Sequence, residues 1–107
     1  LLDAFECTPS YYRMPTYILL STLTDEGART LTKNPKRLQE VNKEIEKFGA
    51  KVTAQYAVLG PYDFVSLVEA HDNDVIARVS AELHARGSVR ILTLPAIPVA
   101  NFVRSLK

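Results

Sequence analysis

The chain has 107 residues, 47% hydrophobic and 23% charged, with 13 Lys+Arg against 12 Asp+Glu and a formal net charge of +1. That length suits one domain with its own core, and the composition argues against a disordered chain. The charge balance, with no clustered basic excess, excludes electrostatic nucleic-acid binding, and no apolar run approaches the ~18 residues of a membrane span.

Residues 1–13 (LLDAFECTPSYYR) show no alternation and lack the basic start and apolar stretch of a signal peptide. They read as an N-terminal extension, either without a role or as an arm whose Phe5, Tyr11 and Tyr12 contact a neighbouring subunit. Cys7 is the single cysteine, which precludes an internal disulfide and suits a reducing, cytoplasmic setting. Residues 14–107 are expected to form the single domain.

Residues 16–23 (TYILLSTL) are β-branched and aliphatic and predict a central strand. A helical stretch follows over 25–48. Its apolar stripe is Ala28, Leu31, Leu38, Val41, Ile45 and Phe48. Asn34-Pro35 predicts a break, with Asn34 as cap and Pro35 in the first helical position. Lys36, Arg37, Glu40, Lys43, Glu44, Glu46 and Lys47 lie off the stripe, and their mixed signs predict a solvated face. Gly49 ends the helix.

Residues 51–59 (KVTAQYAVL) alternate, which places Val52, Ala54, Tyr56 and Val58 on one face and Thr53, Gln55, Ala57 and Leu59 on the other. Gly60-Pro61-Tyr62 is a tight connection to a return strand over 63–70. His71-Asp72-Asn73-Asp74 supplies cap residues for a helix over 75–86, which Gly87 stops. The last strand covers 88–97. Pro95 and Pro98 cannot donate to a ladder, so its far end belongs at an edge or leaves the sheet. Residues 99–107 predict a short terminal helix.

The order β-α-β-β-α-β is the ferredoxin-like arrangement of an α+β domain, a four-stranded antiparallel sheet with two helices on one face. The strands carry apolar side chains on both faces: Tyr17 and Leu19 against Ile18 and Leu20, Phe64 and Val68 against Val65 and Leu67, Val89 and Ile91 against Leu92 and Leu94. Such runs belong to sheets buried on both sides, so the uncovered face predicts self-association. The simplest form is a homodimer closing into an α+β barrel, with a higher homo-oligomer also open. The alternative is a monomer whose arm and C-terminal segment cover that face.

The stretches MPTYILLSTLTDEGART (14–30), NPKRL (34–38), LGPYDFVSLVEA (59–70) and GSVRILTLPAI (87–97) resemble the GYD-domain family. The resemblance implies a ferredoxin-like fold and oligomerisation, and no particular activity.

Gly60-Pro61-Tyr62-Asp63 is the sharpest local feature. Tyr62 could donate a hydrogen bond and Asp63 accept one or act as a base. The same four residues build a turn, with Gly60 and Pro61 as its structural motif, and a rigid turn also presents functional groups. Glu69 and Arg90 are expected on neighbouring sheet positions, either as a polar centre in an apolar cavity or, the favoured reading, as a cross-strand ion pair. His71 and His84 lack the spacing of a metal site, and no metal is expected. Hydrolase, P-loop and dinucleotide motifs do not occur, so no cofactor is expected and any catalysis would be acid–base chemistry by side chains alone. LGPYDFV is not an RNP motif, which leaves RNA binding without support.

Two functions fit. One is an oligomeric domain binding a small apolar or amphipathic molecule in a sheet–helix or intersubunit cavity, with Tyr62, Asp63, Glu69 and Arg90 as its polar groups. The other is a non-catalytic assembly or regulatory subunit using the open sheet face and the N-terminal arm for protein contacts. A cavity of roughly 300 Å3 would favour the first, and a solid interface the second.

Overall fold

The computed structural model describes residues 14–107. Residues 1–13, with the expected arm contacts of Phe5, Tyr11 and Tyr12 and the thiol of Cys7, lie outside them. The elements are β1 (Thr16–Leu23), α1 (Asp25–Lys33), α2 (Arg37–Lys47), β2 (Ala50–Ala57), β3 (Phe64–Ala70), α3 (Asn73–Ala85), β4 (Val89–Ala96) and α4 (Val99–Ser105). The four strands form one antiparallel sheet in the order β2-β3-β1-β4. The expected α+β architecture is therefore present.

The helix break falls where proline demands one, but it is wider than expected. Asn34 closes α1, and its carbonyl accepts the Arg37 N–H at 2.9 Å. Pro35 and Lys36 form a turn, so α2 starts at Arg37 and not at Pro35. At the start of α1 the Thr24 hydroxyl accepts from Gly27 N–H at 3.1 Å, and Asp72 caps α3 by accepting from Val75 N–H at 3.0 Å. Each cap satisfies an amide the helix itself cannot pair.

The core lies between the sheet and α2 and α3. Tyr17, Leu19, Val68 and Ala70 from the sheet meet Ile45, Ile76, Val79 and Leu83. Full burial of one such aliphatic side chain contributes roughly 1.5–3 kcal/mol. Ala28, expected in the stripe, is exposed, because α1 is tied down at Gly27. A Cβ on Gly27 would lie 2.0 Å from the Ser88 carbonyl oxygen, and the neighbouring Thr24 N–H donates to that same oxygen at 3.0 Å. Only glycine permits this approach.

The alternation in β2 is interrupted. Val52 pairs with Val68, but Ala54 pairs with Leu67, so Thr53 is an extra residue in a β-bulge. The bulge reverses the phase beyond it. Val52 and Gln55 therefore face the helices together, opposite buried Val68 and Ser66, while Ala54 and Tyr56 face the other way. The expected grouping of Val52 with Ala54 and Tyr56 is corrected accordingly.

β4 is an edge strand, as its prolines require. The Ile91 N–H donates to His84 Nε2 at 2.8 Å, so a side chain from α3 occupies part of the exposed edge.

Candidate functional site

Among the described residues, no helix lies over the second face of the sheet. Ile18 and Leu20 from β1, Val65 and Leu67 from β3, and Leu92 and Leu94 from β4 share this face by the period of two. Leu92 is 47% exposed, Leu94 40% and Tyr56 59%. Every residue from Ile97 to Lys107 is exposed as well, including Val99, Phe102, Val103 and Leu106 on or beside α4. The C-terminal segment thus leaves Leu92 and Leu94 uncovered.

Tyr62, Asp63 and Arg90 gather at one end of the sheet. The Asp63 carboxylate accepts from Leu23 N–H at 2.8 Å, the Asp63 N–H donates to Ser21 at 2.8 Å, and Val58 N–H donates to the Asp63 carbonyl at 2.9 Å. Asp63 thereby pins the hairpin to β1, in line with the turn reading. Gly60, at φ +119°, turns the chain, and Pro61 is exposed while Tyr62 is half-buried.

Glu69 and Arg90 do not meet. Glu69 pairs with Thr16 and Lys51, whereas Arg90 pairs with Thr22. The six-residue step from Thr16 to Thr22 separates them by about 20 Å along the strand direction. The expected neighbourhood fails because β1 lies between β3 and β4 and both run antiparallel to it. Glu69, early in the β1 register, and Arg90, late in it, fall at opposite ends.

A different set of residues converges on the helix side. A cavity of about 100 Å3 lies between the sheet and α1, α2 and α3. Leu19, Leu31, Leu38, Val41, Phe64 and Val89 provide apolar wall. Asn42, Gln55 and Ser66 form a polar strip. Asn42 Nδ2 donates to Gln55 Oε1 at 2.9 Å, and Gln55 Nε2 donates to Ser66 Oγ at 3.0 Å. Tyr62, Asp63, Glu69 and Arg90 are absent from the lining.

Arg37 and Arg86 also line the cavity. Between them lies the Glu44 carboxylate, which accepts a hydrogen bond from Arg86 and sits 3.7 Å from Arg37 Nη2. The Arg86 hydrogen bond holds the Glu44 carboxyl below its ordinary range against the opposing effect of partial burial, with the charges of Arg86, Arg37 and Lys47 assisting. Arg37 and Glu44 were expected on a solvated face. Their spacing of seven puts them on one side of α2, a signal that acquires meaning only when the end of α3 brings Arg86 to them.

Among the described residues, no three His, Cys, Asp or Glu side chains are grouped to hold a metal ion, and no helix is long and apolar enough to cross a membrane.

The GYD domain family matches the chain over residues 17–106. A Thermus thermophilus protein described as glutamine synthetase and cystathionine beta-lyase binding protein is 61% identical over 95 residues, which cover 88% of this chain and 100% of that protein. Among solved structures, the Mycobacterium tuberculosis leucine response regulatory protein LrpA is similar with a TM-score of 0.56 at 17% identity, over 78% of this chain and 51% of the other. The chain therefore spans about half of that regulator. TTHA0845 from Thermus thermophilus is similar with a TM-score of 0.53 at 26% identity, over 79% of this chain and 95% of its own.

Proposed function

The chain belongs to the GYD domain family, and from that premise we propose that it is a non-catalytic binding subunit, which pairs with a second copy of itself and engages a metabolic enzyme. The observation that carries this reading is the apolar sheet face that no described element covers, with Leu92 and Leu94 exposed across from Ile18 and Leu20. A monomer rarely leaves such a patch in water. Two copies stacked sheet to sheet about a twofold axis would cover it. In that pair Tyr62, Asp63 and Arg90 would lie at one end of the interface and Glu69 at the other.

The enzyme partner is suggested by the partners for which the 61% identical relative is described. Glutamine synthetase and cystathionine beta-lyase are the first candidates. Val99, Phe102, Val103 and Leu106, exposed and spaced by three and four, supply an apolar stripe for that contact after the sheets have paired.

Sedimentation and a binding assay with purified glutamine synthetase or cystathionine beta-lyase from the same organism test both parts. The native chain is expected to sediment above 11.9 kDa, Leu92→Glu with Leu94→Lys to release monomer, and Phe102→Ala with Leu106→Ala to lose enzyme binding as a dimer. A native chain that stays monomeric at high concentration and binds neither enzyme would overturn the reading.

A second reading, ligand binding, rests on the arginines and the polar strip that line the cavity. Its volume of about 100 Å3 is well below the roughly 300 Å3 of sites for drug-sized ligands, so only a small molecule could enter. The polar residues available to it include Arg37, Asn42, Gln55, Ser66 and Arg86.

A further inference from the structure

We propose that the sheet–helix cavity takes a small aliphatic monocarboxylate, its tail against Leu38, Val41 and Val89 and its carboxylate on Arg37 and Arg86, in the position Glu44 now fills. This rests on the second reading above, that the cavity is a ligand site, and adds the chemical class.

Shape and charge agree on that class. The wall is mostly apolar, broken by the two arginines, by the hydroxyl residues Ser21, Thr30 and Ser88, and by the Asn42-Gln55-Ser66 strip, whose members already satisfy one another, since Gln55 bonds both Asn42 and Ser66. The members of that strip therefore gain little from a polar tail. The charged groups of the lining are the guanidinium groups of Arg37 and Arg86, and the carboxylate they share is exchangeable. Arg86 donates through Nη1 to a carboxylate, the class of partner guanidinium groups bind best, and that carboxylate comes from the protein itself. Glu44 can leave: its side chain is 32% exposed, and those of Arg37 and Arg86 are 34% and 31%. Released, it faces water and Lys47. Arg37 keeps Glu40 at 3.3 Å on its other nitrogen, so Arg86 is the principal contact.

Size sets the tail. A cavity of about 150 Å3 accepts benzene, so about 100 Å3 suits a chain of about four carbons. A neutral or cationic head group of equal size would leave Arg86 with Glu44 and gain nothing at that point.

Amide chemical-shift titration of the full chain tests the proposal, with pentanoate as probe and pentan-1-ol and pentylamine as controls. Pentanoate is expected to shift Leu31, Val41 and Val89 saturably, with both controls weaker by about tenfold or more, the usual scale for losing one charge-assisted contact. Glu44→Gln should bind pentanoate several-fold more tightly, because the internal competitor is weakened. Arg86→Gln should lose binding, and Arg86→Lys should restore part of it. Equal binding of pentan-1-ol at the same amides would overturn the carboxylate class and leave the ligand reading standing. No shift at those amides with any of the three probes would overturn both. Weaker binding by Glu44→Gln would remove Glu44 as the stand-in and with it the proposal.

Discussion

The Tyr17 hydroxyl donates a 2.6 Å hydrogen bond to Oδ1 of Asn73, joining the second residue of β1 to the first residue of α3. Tyr17 is 1% exposed, so its ring is part of the core while its hydroxyl reaches the helix start. One side chain thus fastens the central strand to the helix that covers it.

Tyr17→Phe is expected to cost about 0.5–1.5 kcal/mol in urea denaturation, the usual net value of one hydrogen bond, because exposed Asn73 recovers water as a partner. Burial, with Asp72 adding to it, raises the Tyr17 pKa above 10.0. A raised folded-state value means the contribution is complete below pH 10 and is lost as pH climbs through the folded value. Native protein should lose stability more steeply than the Phe variant in that alkaline window.

Glu44 titrates with the opposite sign. Its pKa is held below 4.5 by the Arg86 hydrogen bond first, so its contribution is complete above 4.5 and is lost as pH falls through the lower folded value. At about one-third exposure the pair contributes at most about 1 kcal/mol. Acid unfolding of Glu44→Gln and of native protein should therefore converge below that window, with native protein the more stable at pH 6.

Two glycines separate crowding from backbone strain. Gly27→Ala forces a Cβ to 2.0 Å from the Ser88 oxygen and should cost more than about 2 kcal/mol, since backbone must move. Gly60→Ala meets nothing within 4 Å, and its cost of about 1–2 kcal/mol comes only from holding alanine at φ +119°. Chemical denaturation of both variants should rank Gly27→Ala as the worse.

Asp63→Ala removes the acceptor of Leu23 N–H and should cost about 1–2 kcal/mol, with faster amide exchange at Leu23 and little change at Val68. Asp63→Asn retains an acceptor oxygen and should restore most of the protection. Equal exchange in all three proteins would show that the carboxylate does not hold the hairpin to β1.

The order of strands and helices, the break after Asn34 and the apolar character of both sheet faces were legible in the chain alone. Each depends on neighbours in sequence: periods of two and of three to four, a proline without an N–H, glycines at helix ends. The side-chain partners were not legible in this way. One extra residue at Thr53 turns Gln55 inward beside Val52, and alternation has no means of announcing a bulge. Glu69 and Arg90 are separated by the antiparallel register of two strands about β1. Arg86 reaches Glu44 across forty-two positions because α2 and the end of α3 pack over one cavity. Local pattern determined which elements form and which sides are apolar. Tertiary packing decided which charged groups meet, because contact between distant residues depends on register and helix placement that no short stretch encodes.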